Sequence, residues 1–114
     1  MKSFKPHVEV IRDAIAYIRQ YQPESRAGFL GDSMVQDAIL MRLQVIGESL
    51  ANMRQINEEA FLAMGDNSWS EIIGLRNIIS HGYVTITMER IWDFLVEDLT
   101  AFADSIESAN TRLQ

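Results

Sequence analysis

Three features of the sequence predict an all-α fold, an antiparallel helical bundle of four main helices plus one short helix. Apolar residues recur at spacings of three and four along four stretches, the period of one helix face. Ser, Thr, Asn, Pro and Gly punctuate the ends of those stretches where helices start and stop. The one alternating β-branched run, Tyr83-Val84-Thr85-Ile86, is too short and partnerless for a sheet and reads as a connecting turn. At 114 residues the chain is expected to form a single domain over residues 1–114. A chain of this length hides roughly 65% of its unfolded surface, enough for a core without staples.

Pro6 suits a first helical turn, and Val8, Ile11, Ala14, Ile15 and Ile18 carry the first helix to about Gln22, where Pro23 ends it. Residues 24–31 hold two glycines and two charged residues and read as a loop, with Phe29 and Leu30 tucked inward. Ser33 followed by Gln36 has capping-box spacing, and the apolar-rich run to about Arg54 makes the longest helix. Asn57, with Glu58 and Glu59, opens a short helix closed by Gly65. Ser68 and Glu71 form a second capping box, opening a helix from Trp69 to about His81 with Trp69 as a core anchor. Thr87 caps one last helix, whose stripe runs through Met88, Ile91, Trp92, Leu95, Leu99, Phe102 and Ile106. Glu97, Asp98, Asp104 and Glu107 form its solvated acidic face, and the tail from Ala109 is expected to fray.

Composition excludes several functions. With no cysteine, neither a disulfide framework nor a thiolate metal site is available, in keeping with a reducing compartment. The start lacks an apolar run of signal-peptide length, and nothing approaches the roughly 18 apolar residues of a membrane helix, so the expected compartment is the cytoplasm, without a membrane anchor. A net charge of −6 argues against broad adhesion to nucleic acid, so any nucleic-acid site must be local. His7 and His81 are the only histidines; there is no HExxH, no Gly-rich phosphate loop and no GxSxG, so no metal or cofactor is expected.

The stretch Leu75-Arg76-Asn77-Ile78-Ile79-Ser80-His81-Gly82-Tyr83 stands apart. Projected at about 100° per residue, Trp69, Ile72, Ile73 and Ile79 share one arc and Arg76 falls within it, at about 340°. Asn77, Ser80 and His81 border that arc, so an apolar face grades into a polar cluster. A plain helix end accounts for part of this: Gly82 is a stop signal, and a histidine suits the last turn of a helix. Arg42 is a second arginine inside an apolar arc, on the longest helix, and must meet a carboxylate, a water-filled cleft or a subunit boundary.

An arginine, a histidine, a tyrosine and small polar groups are the tools of metal-free RNA cleavage. Histidine exchanges protons near neutrality, arginine forks onto phosphate, and the attacking group can be the substrate's own 2′-hydroxyl. DNA, lacking that hydroxyl, would be spared. Arg76 and His81 differ by about 140° around a helix and about 7.5 Å along it, so a two-fold dimer would be needed to bring both copies into one cleft.

Arg76, His81 and Tyr83 stand in the spacing R-x-x-x-x-H-x-Y, preceded by Trp69-Ser70-Glu71-Ile72-Ile73-Gly74-Leu75. With Gln36-Asp37-Ala38, Arg42, Ile46-Gly47-Glu48, and Ile91-Trp92 leading into Asp98-Leu99, this ordered set resembles the HEPN superfamily, specifically the HepT-like ribonuclease toxins. The resemblance implies an all-α homodimer with its cleft between subunits and metal-independent endoribonuclease activity on tRNA or mRNA. Arg76 and His81 would be the catalytic pair, with Asn77, Ser80 and Arg42 supporting. It also implies a small nucleotidyltransferase antitoxin of the MNT type that adenylylates the motif tyrosine, Tyr83, in a toxin–antitoxin pair. Gly82 departs from the larger polar residue that many relatives carry there. The rival from another class is a non-catalytic HEPN subunit that only docks a nucleotidyltransferase or a nucleotide; a bare structural bundle would leave both arginines unexplained.

Overall fold

The computed structural model describes residues 3–81 and 86–114. Among them run seven helices and no strand: α1 (Lys5–Tyr21), α2 (Arg26–Leu30), α3 (Ser33–Ile56), α4 (Glu58–Met64), α5 (Asn67–His81), α6 (Met88–Glu97) and α7 (Leu99–Arg112). The all-α expectation holds. The longest helix, α3, is the spine; α1 and α5 pack along it, α7 lies on α1, and α2 bridges α3 and α6. No helix among the described residues is long and apolar enough to cross a membrane.

The core follows from the predicted stripes. Ile39, Leu43, Ile46, Leu50 and Met53 of α3 are fully buried, facing Val8, Ile11 and Ile18 of α1, Trp69 and Ile72 of α5, and Phe102 and Ile106 of α7. Each such side chain contributes about 1.5–3 kcal/mol on burial, far more than any surface ion pair. Arg12 of α1 donates to Glu107 of α7 at 2.7 Å, which holds its guanidinium above the ordinary arginine pKa. Arg26 of α2 meets Asp93 of α6 at 3.2 Å. These solvent-screened pairs mark how neighbours align and add little to stability. Glu107 therefore does more than face water.

Four details depart from the sequence reading. The expected loop at 24–31 contains α2, capped by Ser25, whose Oγ accepts from the Gly28 amide at 3.0 Å. Burying Phe29 completely against Trp92, at 5.6 Å between ring centroids, outweighs the roughly 0.5–1 kcal/mol that a helical glycine costs. At the start of α3 the cap is Asp32 and not Ser33: its Oδ1 accepts from the amides of Met34 and Val35, both at 3.1 Å. Gln36 is then free to donate to the carbonyl oxygens of Phe29 and Leu30, tying α2 to α3.

The last predicted helix is two. At Asp98 the backbone turns to φ −119°, and the break lets α6 lie over α2 while α7 lies along α1. A continuous stripe of apolar residues carries no mark of such a bend. The tail does not fray at Ala109; that residue is fully buried, Asn110 is 9% exposed, and α7 runs to Arg112.

Candidate functional site

α5 is fixed at its start, ahead of the half that holds the expected site residues. The helix begins beneath Asp66, whose Oδ1 accepts from the Ser68 amide at 2.9 Å and from the Ser68 hydroxyl, a cap that lies ahead of the expected Ser68–Glu71 box. Trp69 is the core anchor the sequence predicted. It is fully buried, packs on Phe61 at 5.3 Å, and donates its indole N–H to Ser105 Oγ at 2.9 Å. Ser105 passes the hydrogen bond on to the Phe102 carbonyl at 2.7 Å, so no donor in this chain of contacts is stranded.

Ile72 and Ile73 continue the buried stripe, and the next position on it is Arg76. The arginine fits because α3 offers Gly47 there. A Cβ at 47 would overlap Arg76 Cβ, lie 2.9 Å from Arg76 Cγ and press on the Ile72 carbonyl at 3.1 Å. Helices touching this closely leave the arginine stem packed and its end near the surface, with 23% of the side chain exposed. Its Nε is buried without a hydrogen-bond partner, and a carboxylate oxygen, Glu48 Oε2, stands at 3.4 Å on a side chain 58% exposed.

The other predicted residues spread around the last turns of α5. Asn77 and Ser80 are exposed, and Ser80 Oγ accepts from Gln44 Nε2 of α3 at 3.0 Å. His81, exposed, is the last residue of the helix. Arg76 and Ser80 thus stand against the stretch of α3 from Gln44 to Glu48, and His81 follows on the same half-helix. Arg42 is elsewhere on α3. Its guanidinium lies 4.1 Å over the Tyr17 ring, and Tyr17 stacks on Tyr21 at 5.9 Å. Among the alternatives raised by the sequence, no carboxylate is its partner within the described residues; an aromatic ring takes that place. Tyr83 and Gly82 lie outside the described residues.

Sequence reasoning did not single out Gln44, Glu48 or Tyr17 as site neighbours. For Glu48 a signal existed, since it follows the sole glycine of α3. Among the described residues no group of three or more His, Cys, Asp or Glu side chains is placed to hold a metal ion. An open cleft at the other end of α3, between Phe4, His7, Asn52, Asn57 and Met64, includes none of these residues.

A family model described as HepT-like, ribonuclease HepT-like, matches residues 11–109, and so spans most of the chain, α5 included. The chain belongs to the HepT-like ribonuclease family. This HepT-like chain is 30% identical over 79 residues to a protein of Methanocaldococcus jannaschii named "Putative RNase MJ1380", covering 69% of this chain and 70% of that one. To the "Probable ribonuclease HepT" of Thermococcus cleftensis it is 25% identical over 111 residues, with 93% and 94% covered. A third relative, "Putative RNase TTE0752" of Caldanaerobacter subterraneus subsp. tengcongensis, is 24% identical over 100 residues, 87% of each chain. No solved structure matches it.

Proposed function

We propose that this HepT-like protein is a metal-independent endoribonuclease toxin, with Arg76 and His81 as its catalytic pair. The observation that carries the reading is the seat of Arg76. An arginine that occupies a core position, admitted by Gly47, with its end near the surface on the same half-helix as an exposed histidine, has no structural purpose that leucine would not serve better.

In the reaction the 2′-hydroxyl of one ribose attacks the adjoining phosphorus while a base removes its proton. Arg76 holds the phosphate oxygens as charge builds on the pentacoordinate phosphorane. The bond to the 5′-oxygen of the next nucleotide then breaks, and an acid supplies the proton that oxygen needs. The products are a 2′,3′-cyclic phosphate and a free 5′-hydroxyl. One imidazole cannot be base and acid in the same step, so a two-fold dimer contributing two copies of His81 suits the chemistry. Met34, Met41 and Glu48 recur every seven residues on one face of α3, and the two methionines are 78% and 61% exposed. An apolar stripe leading to the edge of Arg76 fits a second copy of the chain that would place both sites on one cleft. Asn77 and Ser80 would orient that cleft, and Arg42, with spare N–H donors beside Tyr17, would contact RNA or the second protomer.

The partner in this reading is a nucleotidyltransferase antitoxin that adenylylates Tyr83. A phosphate-bearing group two residues beyond His81 would occupy the charge of Arg76 and block substrate phosphate. The protein would act in the cytoplasm, on tRNA or mRNA. The test is incubation of purified protein with both RNAs in EDTA. Cleavage is expected from the wild type, with Arg76→Ala and His81→Ala each slower by about 10²–10⁴-fold; undiminished cleavage by either variant would end the assignment.

A further inference from the structure

We infer that Glu48 is a positioning residue for Arg76: its carboxylate engages the Nε edge of the guanidinium and thereby aims the two terminal nitrogens at the substrate phosphate. The inference rests on the ribonuclease reading of Arg76.

A guanidinium is a flat fork that can grip a phosphate end-on, through its two terminal nitrogens, or side-on, through Nε and one of them. In this protein the Nε edge is buried and turned toward α3, with Glu48 Oε2 at 3.4 Å. Side-on approach by phosphate is therefore blocked, and end-on approach remains. The separation exceeds the about 2.7–2.9 Å of a closed charge-assisted hydrogen bond. A small rotation of either side chain closes it, and a buried N–H without an acceptor favours that rotation. Gly47 and Glu48 act as consecutive halves of one seat: the first sets how deeply Arg76 sinks against α3, the second how the fork is turned.

The charge of Glu48 makes a plain stability role a poor account. A carboxylate 58% exposed to water contributes little through one surface ion pair. Set beside a phosphate-binding arginine, it repels the substrate it sits next to. Such a group weakens ground-state binding and is useful only if it improves the geometry of the reacting complex. The expected signature is thus a loss in kcat without a rise in KM.

The experiment compares wild type, Glu48→Ala and Glu48→Gln, each first checked for an unchanged thermal melt. Glutamine keeps an acceptor oxygen for Nε–H and discards the charge. Glu48→Ala is expected to lower kcat by about 10- to 100-fold, the cost of misplacing a reacting group by around 1 Å, with KM equal or lower. Glu48→Gln is expected to recover most of the rate. Independently of turnover, the ¹H–¹⁵N resonance of Arg76 Nε, assigned by its absence in Arg76→Lys, should shift and exchange faster with water in Glu48→Ala and return in Glu48→Gln. Wild-type kcat in Glu48→Ala overturns the inference, as does an unmoved Nε resonance. Glutamine as inactive as alanine overturns it too, because it makes the carboxylate a proton acceptor. Should the wild type cleave no RNA, the ribonuclease reading fails by itself, and the resonance still decides whether Glu48 engages Arg76.

Discussion

An arginine can occupy an apolar helix stripe when its stem is packed and its charged end escapes the interior. Arg76 does so in a groove that exists because residue 47 has no side chain. Gly47→Ala sets two effects against each other. Alanine gains about 1 kcal/mol in helix propensity, while overpacking against Arg76 and the Ile72 carbonyl costs about 1–3 kcal/mol. The second wins, so the variant is expected to melt at a lower temperature and to cleave RNA poorly, as thermal denaturation and an RNA assay would reveal. A variant that melts higher and cleaves normally would mean the groove has room to spare. At this scale Arg76 was legible because charge on an apolar arc is visible in one dimension. The partner of Arg42 was not: a cation over the Tyr17 ring joins helices whose register no local pattern encodes. Glu48 was only half legible: it follows the sole glycine of α3, but an exposed glutamate on a helix has the same spacing whether it faces water or a neighbouring arginine.

Elements were legible where a period and a cap coincide. α1, α4 and the start of α6 follow the sequence signals, with Thr87 Oγ1 accepting from the Arg90 amide at 3.3 Å and Asn57 Oδ1 from Ala60 at 3.1 Å. Where two capping residues are adjacent, spacing cannot choose between them, and at α3 Asp32 displaces Ser33 because its carboxylate reaches two amides at once. Asp32→Ala should therefore cost about 1 kcal/mol of stability, while Ser33→Ala should be close to neutral by urea denaturation. The reverse order would restore the Ser33–Gln36 box. The bend at Asp98 and the helix at 26–30 were illegible because both answer to tertiary contacts: α6 must reach α2, and Phe29 must reach the core.

For the molecule as a whole, a net charge of −6 sets RNA against most of the surface, so the proposed function requires binding to be concentrated locally, at Arg76 and at what a second protomer would add. Sedimentation equilibrium is expected to give twice the chain mass, and Met41→Glu, on the exposed stripe of α3, should shift it toward the monomer with loss of cleavage; a fully active monomer would refute the shared cleft. If the proposed regulation holds, co-expression with a minimal nucleotidyltransferase of the MNT type should add adenylate-sized increments to the intact mass, absent in Tyr83→Phe. An unshifted mass would remove that regulation and leave the nuclease untouched.

The most direct measurement uses an RNA substrate and its twin carrying a single 2′-deoxyribose immediately 5′ to the mapped cut, both incubated with the wild-type protein in EDTA. If Arg76 and His81 only stabilise and shuttle protons for an attack by the RNA itself, the first is cut to a 2′,3′-cyclic phosphate and a 5′-hydroxyl, and the twin survives at that position. Cleavage of the twin, or products ending in a 5′-phosphate, would mean that something other than the 2′-hydroxyl attacks, and the account would be wrong.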